Sequence, residues 1–286
     1  MFRKKEIYVS IALAEGQFDN GSNEITLPKV PIRLTVDKTG GTELPKLTLD
    51  VENILLDTMQ RLTVLAFRPL QSYKNVIKVE AGEEGMTPDL VFQGEIVSAV
   101  PVFDYSGAAT FHIEASSGYY PVQKTAQPVS VNTDTTIESL FQQFADEAGY
   151  TLENNGVTGS VRNSVFSGTP IQKARQLAKQ TGVDLIIDNN SFVILPSYLD
   201  HREGTVPLLR KDSGLLNYPA FTNDGISAQC LFSPLLEVGG LVKIESIVPK
   251  ASGVWRITKL HHSLEAYAPS SGDWTTNFDA IWITEE

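Results

Sequence analysis

The sequence predicts a mainly β fold in which two small antiparallel β-barrel-like domains flank a small α/β domain. Three observations predict it. Apolar residues alternate with period two over the first and last thirds, two capped amphipathic helices occupy the middle, and turn residues separate short runs throughout. The expected boundaries are 1–120 for the first β domain, 121–200 for the α/β domain and 201–286 for the second β domain. A chain of 286 residues is long enough for two or three such cores.

In the first segment Ile32, Leu34 and Val36 alternate with Arg33, Thr35 and Asp37, and Leu47, Leu49 and Val51 with Thr48, Asp50 and Glu52. Ala109, Phe111 and Ile113 alternate with Thr110, His112 and Glu114. Each run puts one face on a core and the other toward water or a neighbour. Asp104-Tyr105-Ser106-Gly107 marks a hairpin turn, and Asp37–Gly41, Gly82–Pro88 and Gly118–Pro121 supply further breaks.

From about residue 121 the period changes to that of a helix. Thr135 and Glu138 form an expected capping box, followed by Ile137, Leu140, Phe141, Phe144, Ala145 and Ala148 at helical spacing and a stop at Gly149. A second helix starts at Thr169 with Pro170 in its first turn and Gln172 completing a box. Ile171, Ala174, Leu177 and Ala178 give it a buried face, and Gly182 ends it. Val183–Asp188 and Ser191–Leu195 flank Asn189-Asn190, a pair that tolerates positive φ and suits a tight hairpin. Beyond residue 201 strands return. Leu241, Val242 and Ile244 surround Lys243 and Glu245, and Trp255, Ile257, Trp274, Phe278 and Trp282 take alternate positions of two runs joined by Glu265–Asp273. All three tryptophans fall here, so they are expected to anchor the last core.

Charge and composition narrow the function. The net charge is −11, with Lys+Arg against Asp+Glu at 11 and 16 in residues 1–120, 5 and 8 in 121–200, and 7 and 10 in 201–286. No basic stripe is present to neutralise phosphates, so DNA binding is expected to be weak. An acidic surface still suits a passage for DNA, because repulsion lets the polymer slide without sticking. No apolar run approaches the ~20 residues a membrane helix needs. Arg3, Lys4 and Lys5 ahead of Ile7–Leu13, with Ala12-Leu13-Ala14, resemble a short leader; alternation of Ile7, Val9, Ile11 and Leu13 favours a first strand. One cysteine, Cys230, excludes an internal disulfide framework and a multi-cysteine zinc site, and reads as a small buried side chain.

No catalytic constellation emerges, so no catalytic, cofactor-binding or metal-binding residue is assigned and no cofactor is expected. There is no phosphate loop, dinucleotide fingerprint, H-E-x-x-H or G-x-S-x-G. Glu83-Glu84 sits in a Gly-flanked turn. His261 and His262, adjacent in a strand, point to opposite faces and do not share a metal. If Trp255 and Ile257 face the core, His261 shares their side and His262 the side of Arg256, Thr258 and Leu260. His112 lies on a polar strand face, and His201 beside Asp200 and Arg202 in a linker.

The last segment carries a resemblance. Glu237-Val238-Gly239-Gly240-Leu241-Val242-Lys243-Ile244-Glu245-Ser246 leads into Gly253-Val254-Trp255-Arg256-Ile257-Thr258-Lys259-Leu260-His261-His262 and then Gly272-Asp273-Trp274-Thr275-Thr276-Asn277-Phe278. In order and spacing this resembles the closing segment of bacteriophage tail hub and late-control proteins, related to type VI secretion spike hubs. There a G-x-x-V-x-I-x-S strand precedes G-x-W-x-V-x-x-L-x-H, a loop, and G-x-W-x-T-x-F. His262 or His261 stands for that histidine and Trp274 for that tryptophan. The helices over 136–149 and 168–182 are similar to the α/β module of the same family. The resemblance covers about residues 121–286; the first third matches in its strand content.

What the resemblance implies is a non-enzymatic structural subunit of the tail baseplate in the virion, assembled in the host cytoplasm. It implies two similar barrels per chain and a homotrimer whose six barrels form a pseudo-sixfold ring. Its implied partners are the tail tube protein, the central spike and other baseplate proteins, with no membrane, and DNA passing through the channel without tight binding. Two other expectations stand beside it: a cell-wall-degrading or carbohydrate-binding tail protein, which needs carboxylates converging in a cleft, and a secretin-like periplasmic module.

Overall fold

In a computed structural model, residues 3–14, 16–18, 21–41, 43–63, 75–105, 107, 109–119, 126–268 and 272–283 are described. Ser106 of the expected hairpin turn, Pro121 of the expected break and 269–271 of the last loop lie outside them. Strand accounts for 49% of the chain and helix for 14%, which makes it mainly β. Two compact units are present, Met1–Asp37 with Lys46–Tyr119 and His261–Thr275, and Lys38–Pro45 with Tyr120–Leu260 and Thr276–Glu286. The α/β segment lies within the second unit.

The first unit contains β1 (Lys5–Ala12), β2 (Glu24–Thr26), β3 (Ile32–Thr39), β4 (Lys46–Glu52), helix α1 (Leu56–Leu62), β5 (Val76–Glu83), β6 (Asp89–Phe103) and β7 (Ala109–Ser116). Their order is β3-β4-β7-β6-β5-β1-β2, antiparallel throughout. Ile7, Val9 and Ile11 are buried, as are Ile32, Leu34 and Val36, Leu47, Leu49 and Val51, and Phe111 and Ile113. The expected alternation therefore sets which face of this sheet meets the core. Gly107 N–H donates to Asp104 O and closes the β6–β7 hairpin. Helix α1 has no counterpart among the expected elements. Its cap residue, Leu55, offers no side-chain oxygen, and burial of Met59 and Leu62 holds it instead.

The second unit holds β8 (Ala126–Val131), β9 (Thr135–Thr136), α2 (Ile137–Ala148), β10 (Thr151–Asn154), β11 (Ser160–Val161), β12 (Ser164–Gly168), α3 (Pro170–Thr181), β13 (Asp184–Asp188) and β14 (Ser191–Leu195). The expected helices are present. Thr169 and Gln172 form the reciprocal box, with Pro170 in the first turn. At α2 the cap is Thr136, accepting from Ser139 N–H, rather than Thr135; Thr135 is taken up by β9, paired with β11. Gly149 and Gly182 end the helices in left-handed conformation, and Asn189, at φ 50°, turns β13 into β14. Phe141, Phe144, Ile171, Leu177, Phe166, Phe192 and Ile194 fill the core between the helices and the β10-β14-β13 sheet.

The remaining strands are β15 (Leu208–Leu209), β16 (Ala220–Phe221), β17 (Gly225–Leu231), β18 (Leu241–Ile244), β19 (Gly253–Ala266) and β20 (Trp274–Trp282), with a short 3-10 turn at Pro249–Ala251. Within the second unit the order is β16-β17-β20-β19, with β18 paired to β19 and β15 to β18. A second core gathers Ile226, Val242, Ile244, Trp255, Ile257 and Phe278. Residues 261–266 of β19 belong to the first unit, beside β3.

Three further expectations need correction. The barrels are open sheets: among the described residues neither strand order closes on itself. The terminal strands β2 and β16, of three and two residues, are too short to supply a closing ladder. Of the tryptophans only Trp255 is a core residue, 4% exposed; Trp282 is 50% exposed and Trp274 is intermediate. Finally, His262 is buried at 3% and His261 is partly exposed, the reverse of the expected faces. Burial along β19 follows Trp255 and Ile257, then slips by one position to Leu260, His262, Leu264 and Ala266.

Candidate functional site

Two histidines are held by a carboxylate of their own unit. Arg33, Asp50 and His112 stand in one cross-strand row of β3, β4 and β7, with His112 Nδ1 2.7 Å from Asp50 Oδ1. His261 Nδ1 lies 2.7 Å from Asp37 Oδ1. A concavity of about 310 Å³ over that row includes Arg33, Asp50, Glu52, His112 and Glu265, and Arg33 pairs with Glu265 at 3.4 Å. Asp50 and Glu265 are thus engaged by a histidine and an arginine. Among the described residues no group of three or more His, Cys, Asp and Glu is arranged to hold a metal ion. Glu83 of the expected solvated turn bonds Lys5 across β1 and β5.

Cys230 is fully buried in β17 against the second core, its thiol 3.7 Å from Thr276 O. Burial pushes the thiol up to about 12. A thiol reagent at pH 8 is expected to leave the native chain unmodified and to label one cysteine after denaturation; fast native labelling would contradict that burial.

The densest chemistry in the second unit is a buried ionic cluster. Asp188, closing β13, accepts from Lys38 Nζ at 2.8 Å and from Arg202 Nη1 at 3.2 Å. Arg202 also grips Glu153 of β10 with two bonds, Nε at 2.9 Å and Nη2 at 2.6 Å, and lies 3.4 Å from Glu237. The Arg202 N–H donates to Gly239 O, and Gly239, at φ 83°, donates its own N–H to Ile257 O. Burial would raise the Asp188 carboxyl, but Lys38 and Arg202 outweigh it and hold the group below its usual range. Burial pushes Glu237 up, with Arg202 a partial offset. The motif Glu237–Gly240 therefore works as a clasp. It pins the residue-202 segment and the β13–β14 hairpin to the strands beside it. The sequence reading puts Arg202 in a linker because its partners lie 14 to 49 positions away.

A second buried pair, Arg256 with Asp184 at 2.6 Å, packs under the Tyr198 ring at 4.8 Å. These pairs are structural. What the fold offers outward is surface: exposed Val102, Phe103 and Tyr105 at the β6–β7 tip, and exposed Leu216, Tyr218 and Phe221 along the β16 edge.

The family model of the baseplate hub gp41 matches residues 42–269. The chain belongs to the baseplate hub gp41 family. That membership carries a structural role in the tail hub and a place in the virion tail. The match takes in residues 42–120, where the motif resemblance reaches only strand content. Among solved structures the chain is similar to a 43 kDa tail protein of prophage MuSo2 from Shewanella oneidensis, at TM-score 0.62 and 10% identity over 96% of this chain and 97% of that one. It is similar to a tail protein from Neisseria meningitidis at TM-score 0.61 and 10% identity, covering 96% of each. It also resembles an Escherichia coli type VI secretion component at TM-score 0.59 and 11% identity, over 90% of this chain and 75% of that one. At such identities these likenesses establish the fold. No curated protein sequence matches the chain.

Proposed function

We propose that this hub protein assembles as a homotrimer whose ring has pseudo-sixfold symmetry, joins the tail tube to the central spike, and contacts other baseplate proteins. The ring leaves a channel through which DNA passes without tight binding, and the subunit performs no catalysis. It is made and assembled in the host cytoplasm. The observation that carries this reading is that one chain of the hub family holds two sheet-built units, so that three copies present six to a sixfold tube. The excess of acid over base in every segment supports the slippery channel.

Symmetry analysis of the tail particle by electron cryomicroscopy tests it. Three copies around one threefold axis are expected. Six copies per ring, or a twofold dimer in the particle, would overturn the proposal.

A further inference from the structure

The α/β segment sorts its charges by sign. From Thr125 to Glu153 there are five acids and no base, and from Asn154 to Val183 four bases and no acid. A soluble surface ordinarily intersperses the two signs. The division falls between the two helices. Helix α2 carries Glu138, Asp146 and Glu147 and no Lys or Arg, whereas α3 carries Lys173, Arg175 and Lys179 and no Asp or Glu.

One pair of opposite charges is used up inside the chain. Lys173, fully buried, bonds Glu147 of α2 at 2.7 Å. Others remain at the surface. Glu138 and Asp146 are exposed on α2, as is Asp134 just ahead of it, and Lys179 is exposed on α3. Arg162 is exposed beside the last turn of α3, where Gln180 Nε2 donates to Ser164 Oγ at 2.8 Å and Ser164 Oγ to Arg162 O at 3.1 Å. Both helices bury their apolar residues in one core, and glutamines such as Gln142, Gln143, Gln176 and Gln180 occupy the rest of their exposed sides. The module therefore offers one acidic and one basic helix surface, with no apolar side chain exposed on either helix.

We propose that this polarity joins neighbouring copies of the chain, the acidic surface of α2 in one copy meeting the basic surface of α3 and Arg162 in the next. The inference rests on the hub reading, which places the copies in a closed ring. A ring needs two different patches that fit each other, and here both halves of a complementary contact lie on one module. A different tail protein would have to bring a basic surface for α2 and an acidic one for α3, whereas a second copy brings both. A contact without exposed apolar side chains gains little from burial. Its contribution is direction and register, because the wrong arrangement sets like charges together.

Charge reversal, read as incorporation into tails, tests this. Glu138→Lys with Asp146→Lys reverses the α2 surface, and Arg162→Glu with Lys179→Glu reverses that of α3. Each pair alone, in a chain that melts like the parent, sets like charges together around the ring and is expected to lower incorporation at least about tenfold. All four substitutions in one chain restore opposite charge at every contact and are expected to bring incorporation back near the parent level. Carbodiimide crosslinking of parent tails, which needs no variant, is expected to yield a two-chain species joining Lys179 to Glu138 or Asp146. Parent-level incorporation of either two-site variant, or no rescue by a four-site chain that melts like the parent, would overturn the proposal. So would a twofold dimer of the pure chain by mass photometry that either reversal dissolves. Threefold parent tails lacking that crosslink would refute this contact and leave the hub reading standing. If the parent chain is missing from tails, or forms rings of six, the hub reading fails and this inference with it.

Discussion

Asp188→Ala is expected to destabilise the second unit by about 3–5 kcal/mol, because it strands two cations where water reaches neither well. The side chains of Lys38, Asp188 and Arg202 are 10%, 9% and 9% exposed, so the removed carboxylate leaves Lys38 and part of Arg202 without a counter-charge. The bidentate grip of Arg202 on Glu153 survives, and that keeps the loss below that of two orphaned charges. Acid dependence supplies an independent readout. Asp188 is held below its usual range in the folded chain, so its contribution is present above the unfolded value of about 3.9 and fades as pH falls through it toward the folded value. Glu153 acts in the same sense, whereas Glu237, raised by burial, works against the folded state as pH climbs. Urea melts of parent and variant are expected to differ widely at pH 7 and by less at pH 3, because the contribution of Asp188 declines as pH falls below about 3.9. A gap at pH 7 under about 1 kcal/mol would mean that the cluster is hydrated.

Trp255→Ala is expected to cost about 3–5 kcal/mol, the usual range for an aromatic removed from a packed core. The ring is buried, its Nε1 donates to Ala251 O at 3.0 Å, and it meets Trp282 edge-on at 4.9 Å between centroids. The contrast is Trp274→Ala. Trp274 is only partly buried, with Lys5 5.6 Å from its ring centre, and its loss is expected to cost clearly less. The family motif singles out Trp274, and alternation treats the three tryptophans alike. Thermal melts of the two variants side by side decide between them, since equal shifts would show that Trp274 is as much a core residue as Trp255.

Local physics makes much of this protein legible in its residues alone. Period-two alternation identifies the buried faces of β1, β3, β4 and β7, because on a one-sided sheet the side-chain period admits no other arrangement. The box at Thr169 and Gln172, the left-handed stops at Gly149 and Gly182 and the Asn189 turn are each decided within four residues. The family motif near the C-terminus is readable for the same reason, as a run of neighbours.

Tertiary structure alone decides the rest. Whether a sheet closes depends on the lengths of strands far apart in the chain, and the short β2 and β16 leave both orders open. The faces of His261 and His262 depend on a one-residue slip along β19, which period two cannot foresee. Arg202 becomes the centre of an ion cluster because folding brings Asp188, Glu153 and Glu237 to it, with Lys38 on the far side of Asp188. Charge pairs at such separations leave no local pattern, since the attraction acts through space and not along the chain.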